Sequence, residues 1–251
     1  MTARRAGPRR VLAIVGAGLG IVLLLLVVGI LVWSGTGVRA AEPEPLAAVA
    51  ADPAVEVTDE GRALVLSPAR GAGRDVGLVF IPGGKVEAEA YVARLAGVVA
   101  DQGLTVVITR PWLNLAFLDP RGLDSFTPLA PDVEAWIVGG HSLGGVRACM
   151  LADDAEALVL FASYCAADLS QSGLPVLSVA GSEDGLSTPA DIAEAAHLLP
   201  RAAEFVEVPG ANHASFGDYG RQAGDGRASI TDEEMSATIT HLLAGLVAQL
   251  R

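Results

Sequence analysis

Residues 11–33 run for 23 positions without a single charge. At about 1.5 Å rise per residue such a run makes a helix of about 35 Å, enough to cross a hydrocarbon layer of roughly 30 Å with some tilt. It therefore divides the chain before any fold is read. Arg4, Arg5, Arg9 and Arg10 precede it with no acid among them, while Arg39, Glu42 and Glu44 follow. By the positive-inside rule, residues 1–10 are a basic cytoplasmic N-terminus, 11–33 a transmembrane helix, and the remainder lies outside the cell membrane. The competing reading is a cleaved signal peptide, since Val38-Arg39-Ala40 passes as a small-residue cleavage site. A signal h-region, however, runs only about 7–15 residues. A retained single-pass anchor is the expectation, and a secreted domain the outcome if the segment is cut. Gly16, Gly18 and Gly20 imitate a dinucleotide-binding turn, but they are spaced by two and lead into unbroken Leu and Val, which suits a membrane helix instead.

Beyond the run, residues 34–53 are rich in Ala, Pro and Gly without an apolar period and read as a linker, with a folded domain over 54–251. Setting aside residues 1–39, with five Arg and no acid, leaves 12 basic residues against 29 acidic ones, a net charge of −17. So acidic a domain is a poor partner for nucleic acid, and ordinary solubility accounts for the charge. Cys149 and Cys165 both fall outside the membrane, where oxidation is permitted, and the sequence leaves a disulfide and two buried thiols equally open.

The domain alternates short apolar runs with helical patterns. VEVTDEGRALVLSP reads as a hairpin turning at Asp59-Glu60-Gly61. Strands are expected at 76–82, 104–111, 135–140, 157–163, 174–184 and 203–210, and helices at 87–103, 142–154, 188–199 and 230–250. Continuous apolar strands between amphipathic helices argue for a mostly parallel sheet covered on both faces. Residues 111–132 show little helical pattern; there Trp112, Leu113, Leu115 and Phe117 are expected to cover the sheet rather than line an acyl pocket.

GGHSLGG, at 139–145, sits where a strand runs directly into a helix. A G-x-S-x-G match is weak alone, but that context requires a tight turn in which Ser142 takes strained dihedrals and its neighbours lack side chains. Ser142 is therefore a nucleophile candidate, and a serine hydroxyl needs a base oriented by an acid. Of the four histidines, His141 adjoins the serine and points away from it, while His197 and His241 lie within helical patterns. His213, in GANH after the last strand, is the base candidate. Asp184, in GSEDG after the strand 174–184, is the acid candidate; adjacent Glu183 could substitute, and Asp191 suits a helix first turn better. Pro82-Gly83-Gly84 opens a helix whose first amides lack partners, a site suited to an oxyanion. Lys85 is the chain's single lysine. No cluster of Cys, His and carboxylates has metal-ligand spacing, and no metal or cofactor is expected.

GHSLG, GSEDG and GANH, each after a strand and in that order, resemble the α/β-hydrolase superfamily across nearly the whole of 54–251. The resemblance implies a three-layer fold with an eight-stranded, mostly parallel sheet, with Ser142 as nucleophile, His213 as general base and Asp184 as its orienting acid. It further implies an oxyanion hole from the amide of Leu143 and that of Gly84 or Lys85, as in a lidless bacterial subgroup. Only SYCAADLSQSG separates two of the expected strands, too little for a cap domain. The expected activity is hydrolysis of a small ester or related acyl substrate at the outer face of the membrane. A binding or scaffold protein that kept the fold and lost catalysis is the competing class, and its usual sign, a missing triad member, is not seen. The dienelactone-hydrolase type is disfavoured because that group generally places cysteine where Ser142 stands.

Overall fold

The computed structural model describes residues 8–69 and 73–250, in two compact units divided between Gly37 and Val38. Most of the expected basic N-terminus thus lies outside the described residues. The first unit is one helix, α1 (Pro8–Gly35). Its stretch Ile14–Gly35 has a mean hydropathy of 3.0 and is long and apolar enough to cross a membrane, a test that a signal sequence also passes.

The second unit is built on an eight-stranded sheet. Its strands are β1 (Val55–Asp59), β2 (Ala63–Pro68), β3 (Val76–Ile81), β4 (Thr105–Thr109), β5 (Ala135–His141), β6 (Ala157–Phe161), β7 (Val176–Gly181) and β8 (Glu204–Val208). Their spatial order is β1-β2-β4-β3-β5-β6-β7-β8. β2 pairs antiparallel with β1 and β4, and every other pairing is parallel. The expected hairpin is β1–β2, turned at Gly61 with φ 71°.

Alternate strand residues face opposite ways, and both faces are buried. Leu78, Phe80, Ile137, Val159 and Leu177 pack with helices α3 (Val92–Gln102) and α6 (Asp232–Ala248). Val79, Ile81, Val138, Leu158 and Leu160 pack on the other side with α4 (Leu143–Met150) and the segment 116–130. This two-sided burial is why these strands read as unbroken apolar runs. α3 ends at Gly103 in the left-handed conformation, φ 71°. α6 and α5 (Pro189–Ala195) start at capping boxes, Thr231 with Glu234 and Thr188 with Asp191.

Two expectations are corrected, and one question the sequence left open is settled. The linker 34–53 is not a linker throughout, because the compact unit starts at Val38 and Pro43–Ala50 form helix α2. Pro43 opens that helix, and Leu46 and Val49, three apart, pack into the core; the surrounding Ala and Pro mask this short period. The folded domain accordingly begins about 16 residues before 54. Second, Trp112 and Phe117 are 55% and 58% exposed and do not cover the sheet, although Leu115 is buried. Residues 112–129 form four short 3-10 turns instead of a helix. Third, the two cysteines, left open by the sequence, form a disulfide that ties α4 to the loop after β6.

Candidate active site

Every parallel strand from β3 to β8 delivers its C-terminal end to one edge of the sheet, where ligands of open α/β sheets bind. Ser142 follows β5 there, with φ 52° and ψ −123°. For a residue bearing a side chain this left-handed turn costs about 1–3 kcal/mol, and neighbours hold it in place. Its N–H donates to Phe161 O at 3.0 Å, and its carbonyl accepts from Ser163 Oγ at 2.7 Å. A Cβ on Gly144 would lie 2.0 Å from Ile81 O, and one on Gly140 2.4 Å from the Gly144 carbonyl carbon. The elbow helix thus rests directly on the end of β3. Among the described residues, the non-glycine residues with positive φ are Lys85, Leu113, Asn114, Ser142 and Ala162, and each follows the C-terminal end of β3, β4, β5 or β6.

β7 and β8 are neighbours, and their loops bring Asp184 and His213 together. His213 Nδ1 lies 2.8 Å from Asp184 Oδ2, and both residues are buried. The other carboxylate oxygen accepts from the amides of Leu186 at 2.7 Å and Ser187 at 2.8 Å, so Asp184 is oriented from both sides. Glu183 is exposed, and Asp191 caps α5. His197 and His241 are exposed on the surface. The His213 loop reaches back across the sheet edge until its ring centroid is 4.5 Å from that of His141, the residue before Ser142. Among the described residues no hydrogen bond joins Ser142 Oγ to His213.

His141 is buried, and desolvation together with neighbouring His213 holds its pKa well below the usual 6.5. Its Nδ1 is 2.9 Å from the Tyr91 hydroxyl, whose oxygen accepts from Gly83 N–H at 2.9 Å. The phenolic hydrogen is then left for Nδ1, which places the imidazole proton on Nε2. Burial raises the Tyr91 pKa well above 10, so the phenol stays neutral.

At the end of β3 the backbone donors sort themselves. Gly83 donates to Tyr91, Lys85 to Asn114 O at 2.8 Å and Val86 to Gly83 O at 3.2 Å. The Gly84 amide has no acceptor among the described residues. Leu143 is the first residue of α4, so its amide has no partner within the helix. The two residues are neighbours, since a Cβ on Gly84 would lie 2.8 Å from Leu143 Cδ1. Of the two expected alternatives, Gly84 keeps an open amide and Lys85 does not.

One residue escaped the sequence reading. Asp225 accepts from the amides of His213 at 3.1 Å, Ala214 at 2.9 Å, Gly185 at 3.2 Å and Gly226 at 2.8 Å, pinning the histidine loop to the acid loop. A Cβ on Gly226 would lie 1.8 Å from Glu183 O, so the turn Gly224-Asp225-Gly226 and the acid loop interlock. Its one sequence signal is an aspartate between two glycines. Among the described residues no group of three or more His, Cys, Asp or Glu is placed to hold a metal ion.

A model of the alpha/beta hydrolase family matches residues 77–237, which include the elbow and the loops bearing Asp184 and His213. The chain is an α/β hydrolase. No curated protein matches it. Among solved structures, this α/β hydrolase is similar to a bacterial heroin esterase, with a TM-score of 0.56 and 14% identity over 82% of this chain and 88% of that one. At that identity the likeness is one of fold. Membership of that family supports a hydrolytic activity.

Proposed function

We propose that this α/β hydrolase is a serine hydrolase that cleaves a small ester or related acyl substrate through an acyl-enzyme, with Ser142, His213 and Asp184 as its triad. The observation that carries the reading is the buried 2.8 Å contact between His213 Nδ1 and Asp184 Oδ2, on loops that close toward a strained Ser142. Asp184 holds the imidazole with its proton on Nδ1, leaving Nε2 to act as base. Ser142 Oγ attacks the carbonyl carbon as Nε2 takes the hydroxyl proton, and the carbonyl oxygen becomes an oxyanion. The amides of Gly84 and Leu143 stabilise that charge, each such donor being worth about 10²–10³ in kcat. The tetrahedral intermediate expels the alcohol, which leaves with the proton from His213. Water then gives a proton to Nε2, adds to the acyl carbon and releases the acid, and Ser142 recovers its proton. The Ser142–His213 hydrogen bond forms as substrate enters, a tightening common in such sites.

The domain is further proposed to work outside the cell membrane, held by α1 with its N-terminus in the cytoplasm. Four arginines ahead of an apolar helix support that orientation, and the Cys149–Cys165 disulfide suits an oxidising compartment.

The test is labelling of the full-length chain in detergent with a fluorophosphonate probe. Wild type is expected to label, and Ser142→Ala not. A wild type that stays unlabelled while a control serine hydrolase reacts overturns the reading and favours the inactive scaffold.

A further inference from the structure

The five residues 38–42 fall in the stretch expected to be a linker, yet they are bonded into the active-site edge of the hydrolase domain. Arg39 forms a parallel bridge with Val86, one residue beyond Lys85. Its N–H donates to Lys85 O at 2.8 Å, and its carbonyl accepts from Glu87 N at 3.0 Å. Ala41 N–H donates to Glu87 Oε2 at 3.2 Å. Glu42 N–H donates to the carbonyl of Asp218 at 2.7 Å, and Asp218 N–H to Ala90 O at 2.6 Å. The segment therefore touches both the loop that carries Gly84 and the loop that follows His213.

We propose that residues 38–42 are a strap that positions the oxyanion amide of Gly84, so that Arg39, through its backbone, is a positioning residue for the hydrolysis proposed above. Lys85 stands at φ 57°, a conformation that a residue with a side chain leaves when it is not held. Both polar groups of its backbone are clamped. Its N–H is held by Asn114 O on one side, and its carbonyl by Arg39 N–H on the other. Releasing the Arg39 clamp lets Lys85 relax toward ordinary dihedrals, and the Lys85–Val86 peptide turns with it; the N–H of that peptide holds Gly83 O at 3.2 Å, the carbonyl of the same peptide unit that carries the Gly84 N–H. Displacement of a donor by about 1 Å is enough to cost on the order of 10²-fold in rate. The strap also crosses Val38-Arg39-Ala40, so cleavage after Ala40 would remove Arg39 while leaving α2 in place. The intact chain is the form with the braced site, and processing there would lower activity.

The experiment uses the full-length chain in detergent and two variants, Arg39→Pro, which deletes the N–H given to Lys85, and Glu87→Ala, which deletes the acceptor of Ala41. Hydrogen exchange of peptides covering 83–87 is followed alongside kcat and KM for 4-nitrophenyl acetate and the inhibition constant of phenylboronic acid. Arg39→Pro is expected to raise exchange at 83–87 while β5–β7 keep their protection. It should lower kcat by about 10–100-fold, leave KM within twofold and weaken phenylboronic acid by a factor similar to the loss in kcat. Glu87→Ala should move each readout in the same direction by less, and it decides the matter if Arg39→Pro does not fold. Unchanged exchange at 83–87 overturns the strap, as does raised exchange with kcat unchanged or a loss confined to KM. If wild type proves inert toward esters, the hydrolase reading fails, and exchange at 83–87 alone then decides whether the strap braces the loop.

Discussion

The Tyr91 hydroxyl bridges Gly83 N–H and His141 Nδ1, at 2.9 Å from each, and so links the loop of the proposed oxyanion amide Gly84 to the residue before the proposed nucleophile Ser142. Tyr91→Phe keeps the ring in its core position but leaves a buried amide and a buried imidazole nitrogen without partners. Each such orphan costs about 1–3 kcal/mol. The variant is expected to unfold at lower denaturant concentration and, on the proposed mechanism, to lose roughly tenfold in kcat with KM little changed, since the bond would position transition-state donors rather than substrate. Denaturant titration and steady-state kinetics check the two parts separately.

His141 also sets a pH dependence. Its native pKa is depressed well below the ordinary 6.5, so below about pH 6.5 the unfolded chain binds a proton that the native one refuses. The stabilisation is present above pH 6.5 and is lost as pH falls toward the native pKa. Thermal midpoints measured between pH 7.5 and 4.5 should therefore decline for wild type, and less steeply for His141→Gln. Parallel profiles would mean that His141 titrates alike in both states.

Asp225 accepts four backbone amides around His213 and Gly185. Asp225→Ala strips all four of their acceptor, and the expected cost is several kcal/mol at the upper end of single-residue effects. Because the His213 loop loses its anchor, kcat is expected to fall by at least about tenfold even where the variant remains folded. Chemical denaturation followed by kinetics at a temperature where the variant is native tests both.

Cys149 and Cys165 close a loop of separation 16 between α4 and the strand-end loop holding Ser163. Replacing both with Ala is expected to lower stability by about 3 kcal/mol, the loop-entropy value for that length. A reducing agent should lower the thermal midpoint of wild type and leave that of the double variant unmoved.

Gly144 and Gly84 make a contrasting pair. A Cβ on Gly144 meets the backbone oxygen of Ile81 at 2.0 Å, while one on Gly84 meets only the end of the Leu143 side chain at 2.8 Å. Gly144→Ala is expected to yield no folded protein, and Gly84→Ala to fold with reduced kcat, as expression and circular dichroism would show.

The sequence alone determined the features that repeat locally. Two-sided burial writes itself as apolar runs at β3, β5 and β6, and helix caps sit three residues from their partners, as at Thr231 and Glu234. The elbow was legible because its glycines and Ser142 fall within one stretch of seven residues. That Ser142, Asp184 and His213 each follow a parallel strand was read from the alternation of strands and helices. Tertiary structure decided what depends on contacts between distant parts of the chain. Strand order β5-β6-β7-β8 puts Asp184 beside His213, and the Asn114 carbonyl occupies the Lys85 amide so that Gly84 keeps the open one. Asp225 gains its role by folding back onto the acid loop, and residues 38–42 gain theirs by pairing with Val86, more than 40 positions away. Such bonds carry no period and no fixed spacing, because the partner of each backbone group is chosen by how the layers pack and not by its neighbours in sequence.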